Sequence, residues 1–169
     1  MKFGIAGLGN HAINRVMPAM AASGNQITSV YSRNIDKARK EGAKYNSTPY
    51  DNYEKMLEAG DFDAIYIASP NFLHYPQTKA ALQNGKHVLL EKQMTLKAEE
   101  AHELNTLAKE KNLKLALGFH LRFHPAVIDV KKMLNEGKFG NISYISGMFT
   151  NLSSRSYDEP DHKWWAEEE

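Results

Sequence analysis

Short apolar runs alternate along this chain with longer stretches in which apolar residues return every three or four positions. The short runs are Lys2–Ala6, Gln26–Tyr31, 63–68, His87–Leu90 and 114–117, and they read as strands. The run 63–68 is nearly all apolar, the signature of a strand covered on both faces. The longer stretches read as helices. Residues 11–22 place Ile13, Val16, Met17 and Met20 on one side, although Pro18 removes a backbone donor and implies a kink or an early end. Asn34 can cap a helix reaching about residue 44, with Ala38 and Ala43 turned inward. Thr48-Pro49 marks a short connection. Asp51, with Glu54 three residues later, forms a capping-box pattern for a helix whose apolar face is Tyr53, Met56 and Leu57 and which ends at Gly60. Residues 73–84 precede a Gly85 stop, and 96–109 carry Ala101, Leu104 and Leu107 at helical spacing.

Strands alternating with helices across short turns predict an α/β protein with a doubly wound parallel sheet. The organisation changes near Gly118, so residues 1–118 are expected to form that domain. Residues 119–124 are irregular, and Pro125 suits the first turn of a helix reaching about residue 136, with Val127, Val130 and Leu134 on one face. Gly137 and Gly140 stop it, and 142–150 read as a strand with no visible partner inside the chain. Residues 119–169 are thus expected to be a linker, a helix and the first strand of an incomplete second α+β domain.

Composition narrows the function classes. At 169 residues and 42% hydrophobic, the chain can bury a core without a disulfide or a metal. A net charge of +1 gives no electrostatic case for nucleic acid or an anionic membrane. The absence of cysteine removes disulfides, thiolate metal sites and a cysteine nucleophile, and fits a reducing, cytoplasmic compartment. Met1-Lys2 leads straight into the first strand, so no signal peptide is read, and no apolar run is long enough to span a bilayer. The seven histidines show no metal-ligand spacing.

The chemistry begins at Gly7-Leu8-Gly9-Asn10-His11-Ala12, a Gly-x-Gly-x-x-Ala turn between strand and helix. Gly7 permits the tight turn, Gly9 lets backbone approach a pyrophosphate, and Ala12 keeps the helix close to the strand. The helix start, with its unpaired N–H groups and positive dipole end, suits phosphates. At the end of the second strand, where an NAD-preferring site carries an acid, stand Tyr31-Ser32-Arg33-Asn34. Serine can donate to a 2′-phosphate, and arginine can pair with it, helped by Lys37 one turn on. The plainer reading, an ordinary helix cap beside a solvated arginine, stands beside it, and the combination favours NADP over NAD. Glu91-Lys92 follows a buried strand at the end of a sheet where such folds bind ligands, so Lys92 is placed either to exchange protons with a substrate or merely to pair with a surface acid.

Ala68-Ser69-Pro70-Asn71-x-x-His74, Gly85-Lys86-His87-Val88-x-x-Glu91-Lys92 and Gly137-Lys138-Phe139-Gly140-Asn141-Ile142 follow the glycine turn in the order that resembles the Gfo/Idh/MocA oxidoreductases. The resemblance implies an NAD(P)-binding Rossmann domain, then an α/β domain with an open sheet, and hydride transfer between nicotinamide and a sugar, polyol or related carbonyl compound. It places Gly7, Gly9 and Asn10, with His11 at the helix start, on the cofactor. Ser32 and Arg33 match members that use NADP. Ser69, Asn71 and His74 would line the nicotinamide side, Glu91 would orient the cofactor, and Lys92 matches the catalytic lysine. Arg122 matches a residue near the cleft. Members often pair through the open sheet of the second domain, which leaves a homo-oligomer open.

Two departures stand out. The family motif is Glu-Lys-Pro, commonly with a cis bond, whereas Gln93 stands here. A cis bond without proline costs about 2.5–4 kcal/mol, so a trans Lys92–Gln93 bond and a shifted Lys92 are expected. The family's second domain also continues through a glycine-rich segment and an Asp-x-x-x-His-type segment that supplies a histidine, and the sequence ends before both. The alternatives to an NADP-dependent oxidoreductase are therefore an NADP-binding module without chemistry and an inactive fragment.

Overall fold

Five of the six strands fall on the apolar runs, and all six pair in parallel. The computed structural model describes residues 1–148. The strands are β1 (Lys2–Ala6), β2 (Gln26–Tyr31), β3 (Thr48–Tyr50), β4 (Ala64–Ile67), β5 (His87–Leu90) and β6 (Leu115–Leu117). Their order across the sheet is β3-β2-β1-β4-β5-β6. This is the Rossmann order, in which the strand order reverses between β1 and β4 and opens a crevice at the carboxyl ends of those strands. The helices between strands are α1 (Met17–Ala22), α2 (Ile35–Ala43), α3 (Tyr53–Ala59), α4 (Asn71–Gln83) and α5 (Ala98–Glu110). None among the described residues is long and apolar enough to cross a membrane.

Alternation along the central strands divides the core in two. Ile65 and Ile67 of β4 pack with Met56, Leu57, Phe62, Leu82, Leu90 and Leu104. Tyr66, between them, points to the other face and joins Ile5, Met17, Met20, Ile27 and Val30. With both faces covered, β4 is buried at every position, which explains its unbroken apolar sequence.

Several local expectations give way. Thr48-Pro49 is not a connection: β3 pairs with β2 as an edge strand, a position that tolerates a proline without an amide donor. The α3 cap is Asn52, which accepts from the Lys55 amide at 2.8 Å, so Asp51 and Glu54 form no capping box. On α2, capped by Asn34 as expected, Ala38 is buried but Ala43 is exposed. The inward positions one turn beyond Ala38 are Glu41 and Gly42, since a helix returns to the same face after three or four residues, not five. Before α1 the backbone widens at Ala12–Val16, and the Met17 amide donates to the Ala12 carbonyl five residues back. The wider turn relieves the crowding that the Pro18 ring would cause in a regular helix.

The chain divides after Gly118 into two compact units. The second contains a short turn of helix at His120–Phe123 and α6 (Pro125–Asn135), whose cap is His124, with its Nδ1 accepting from the Ala126 amide at 3.3 Å. The strand expected at 142–150 is not found over residues 142–148, and its remainder lies outside the described residues. Extended backbone becomes a strand only by pairing, and these residues pair with no described strand.

Tyr53 ties α3 to α4 through a buried bond from its hydroxyl to the Gln77 carbonyl at 2.8 Å. Burial pushes the Tyr53 phenol well above its ordinary range, with Glu54 adding to the shift. A raised phenol contributes stability fully below about pH 10, and that contribution falls as pH rises above it. Tyr53→Phe should cost about 1 kcal/mol at neutral pH, read by urea unfolding. It should also flatten the loss of stability above pH 10, and an unchanged alkaline slope would count against this assignment.

Candidate active site

The crevice is set by how the first turn meets the fourth strand. Gly7 has φ +93°, and a Cβ built on it would lie 2.5 Å from the Ala68 carbonyl carbon and 2.6 Å from the Ser69 nitrogen. Only glycine accepts both the dihedral and the contact. The Ala68 amide donates to the Ala6 carbonyl at 2.7 Å, extending the β1–β4 pairing to the rim. Gly9 is the opposite case: a Cβ there would meet nothing within 4 Å. Ala12 is fully buried below it. The turn therefore presents bare backbone to open space at a helix start, a cradle that fits a pyrophosphate.

At the end of β2 the Ser32 amide donates to the Tyr50 carbonyl at 3.1 Å, and the Ser32 hydroxyl accepts from the Asn34 amide at 3.2 Å. Asn34 caps α2 by accepting from the Asp36 and Lys37 amides. The plain cap is thus present, and Arg33 is exposed on it, beside the half-buried Tyr31. Burial raises the Tyr31 phenol, Glu54 adds to this, and the Arg33 charge opposes it. Tyr31 also packs edge-to-face on Tyr53 at 5.5 Å. No acid stands between Tyr31 and Asn34 to repel a phosphate.

On the other side of β1, Ser69 and Asn71 bracket the start of α4. The Ser69 hydroxyl donates to Gln77 Oε1 at 2.6 Å. His74 is only 1% exposed. Its Nε2 faces the Ser69 carbonyl at 2.9 Å and its Nδ1 faces the Gln93 carbonyl. The ring therefore sits beneath the rim and ties the loop after β4 to the loop after β5.

Glu91 closes the arrangement. Its Oε1 accepts from the Tyr66 hydroxyl at 2.8 Å and lies 3.6 Å from His11 Nε2 in the glycine turn. Its Oε2 accepts from the Lys92 amide at 3.3 Å. Lys92 itself is exposed. The Lys92–Gln93 bond is cis, which corrects the expectation of a trans bond. That expectation weighed only the local preference of the dipeptide. In the fold, the carbonyl on one side of this segment meets His74 and the amide on the other turns to Glu91. Arg122 belongs to the second unit, where its guanidinium lies 5.9 Å from the Phe119 ring centre.

Three residues that no sequence motif marks support this arrangement. Tyr66 and Gln77 hold Glu91 and Ser69 from below, and Gly118 passes so close to Glu91 that a Cβ would lie 2.9 Å from Oε1. The available signal for Tyr66 was a phenol inside an otherwise aliphatic strand.

Comparison with known proteins gives the family and the fold. Residues 1–119 match the family model GFO_IDH_MocA, described as an oxidoreductase family with an NAD-binding Rossmann fold. The dTDP-3,4-didehydro-2,6-dideoxy-alpha-D-glucose 3-reductase of Streptomyces violaceoruber is 37% identical over 160 residues, 94% of this chain and 46% of the relative. The scyllo-inositol 2-dehydrogenase (NADP(+)) IolU of Bacillus subtilis is 35% identical over 134 residues, 79% of this chain and 40% of that protein. A crystal structure of KijD10, a 3-ketoreductase from Actinomadura kijaniata in complex with TDP-benzene and NADP, superposes with TM-score 0.75 at 34% identity, covering 81% of this chain and 44% of that one. The chain thus spans about half the length of the curated relatives it matches.

The two glycines should separate fold from binding. Gly7→Ala should destabilise the chain by at least about 2 kcal/mol through the forbidden dihedral and the clash with β4, seen as a lower urea midpoint. Gly9→Ala should leave that midpoint nearly unchanged while weakening dinucleotide binding, because its methyl enters the open cradle. Equal effects of both substitutions on stability would contradict this division.

Proposed function

We propose that this chain, which belongs to the Gfo/Idh/MocA oxidoreductase family, is the NADP(H)-holding part of an enzyme that exchanges hydride with a sugar, a polyol or a related carbonyl compound. In this reading residues 1–118 hold the cofactor and the segment from Phe119 begins a substrate domain. The cytoplasmic setting expected from the composition belongs to the same reading. The observation that carries it is the open Gly9 backbone in line with two other groups along one sheet edge: Ser32-Arg33 beyond β2 and Glu91-Lys92 beyond β5.

Gly7, Gly9 and Asn10, with His11, would lie along the pyrophosphate. Ser32 and Arg33 would take the 2′-phosphate, where a serine donor and a guanidinium fork suit a dianion. Ser69 and Asn71 would face the nicotinamide side, and Glu91 would orient that half. His74, held between two backbone carbonyls, would brace these loops from below. When bound, reduced nicotinamide supplies hydride to a carbonyl carbon. Lys92 would stabilise the negative charge that develops on the carbonyl oxygen and give it a proton.

A second reading is an NADP-holding module that does not turn over by itself. Fluorescence titration with NADPH and NADH, followed by turnover assays over a panel of sugars and polyols, distinguishes the readings. NADPH should bind at least about tenfold more tightly than NADH, the scale of one charge-assisted hydrogen bond. Arg33→Ala should remove most of that preference while leaving NADH affinity unchanged. Lys92→Ala should abolish any turnover and retain NADPH binding. Binding without turnover selects the module, equal affinity for the two cofactors refutes the NADP assignment, and no binding of either removes both readings.

A further inference from the structure

Tyr66 is the third residue of β4, 1% exposed, in a strand that is otherwise alanine and isoleucine. A phenol hydroxyl left without a partner in such a core costs about 1–3 kcal/mol, so its one strong bond is informative. The register explains where that bond goes. Tyr66 is the direct partner of Leu89 on β5, and Glu91 lies two residues further along the same strand direction. Positions two apart share a face, and each residue advances about 3.3 Å. The length of the phenol ring spans that step, so the hydroxyl arrives at Glu91 Oε1 at 2.8 Å.

The carboxylate is enclosed on its other sides as well. Gly118, whose amide donates to the Leu90 carbonyl at 2.8 Å, leaves no room for a Cβ beside Oε1. His11 Nε2 lies 3.6 Å from the same oxygen, and the Lys92 amide takes Oε2. Burial, then the neighbouring carboxylate, raises the Tyr66 phenol well above its ordinary range, so it stays a donor at neutral pH. A carboxylate that only needed to reach a ligand would not require a buried donor behind it.

We propose that Tyr66 is a positioning residue of the hydride-transfer site, whose hydroxyl fixes the Glu91 carboxylate, and through it the Lys92 backbone, in one orientation toward the nicotinamide half of the cofactor. The assignment rests on the reading that Glu91 and Lys92 face that half. Tyr66 touches neither cofactor nor substrate, and its effect passes entirely through Glu91.

The test is a cycle of Tyr66→Phe, Glu91→Gln and the double variant in the whole chain. Phenylalanine keeps the buried ring and removes only the hydroxyl. Without any cofactor, Tyr66→Phe should move the Lys92 amide resonance in a nitrogen–proton spectrum and speed its hydrogen exchange. With NADPH, it should weaken binding about three- to tenfold, and the double variant should bind no more weakly than Glu91→Gln alone. An unmoved Lys92 amide overturns the brace whatever the chain binds. Losses that multiply in the double variant overturn the route through Glu91. Absence of NADPH binding by the unmodified chain removes the cofactor reading and Tyr66's place in it, an outcome distinct from a failed amide response. If Tyr66→Phe does not fold, Gly118→Ala crowds the same carboxylate oxygen and must likewise move the Lys92 amide and weaken NADPH binding; an unmoved amide there overturns the route through Glu91.

Discussion

The closeness of the Gly7 turn to the end of β4 governs the whole crevice. With a Cβ at Gly7 the two backbones would interpenetrate, so the switch point between β1 and β4 exists in this form only because a glycine stands there. The same contact sets the height at which α1 begins and brings His11 within 3.6 Å of Glu91, a residue two strands away. Gly9 then contributes by what it lacks, leaving backbone beside open space. One glycine is a packing requirement and the other a vacancy, and their spacing in sequence joins the two.

Beneath the crevice lies a layer of polar groups whose partners are other parts of the rim. Tyr66 holds Glu91, His74 joins Ser69 to Gln93, Ser69 also holds Gln77, and the Gln77 carbonyl accepts from Tyr53. Buried polar groups are tolerated when they are hydrogen-bonded, and here the bonds from Tyr66, Ser69 and Tyr53 link segments distant in sequence. The loops after β4 and β5 are bound to each other through His74. The groups above this layer, Arg33 and Lys92, are exposed. Fixed groups below and exposed charges above form an arrangement suited to receiving a charged ligand without rebuilding the site.

Legibility in the sequence followed the range of the interaction. Asn34 was recognisable as a cap because its partners are Asp36 and Lys37, two and three residues away. The α3 cap was misplaced by one residue, from Asp51 to Asn52, because both types accept from backbone amides and only the direction of the incoming chain separates them. The edge strand β3 was missed because three residues with a central proline carry no periodicity of their own, and pairing with β2 makes them a strand. The resemblance singled out His74, but its burial between two carbonyls depends on a loop nineteen residues on.

By itself the sequence determined the order of the helices and of five of the six strands, the parallel sheet, and the glycine turn that opens the crevice. These depend on local period and on backbone freedom at single residues, which are written residue by residue. Tertiary structure alone decided the state of the Lys92–Gln93 bond, the downward-facing role of His74, and the pairing of Tyr66 with Glu91 across twenty-five residues. Each of these depends on where a distant strand end arrives. A phenol in an aliphatic strand announces that it needs a partner, but only the β4–β5 register says that the partner is Glu91.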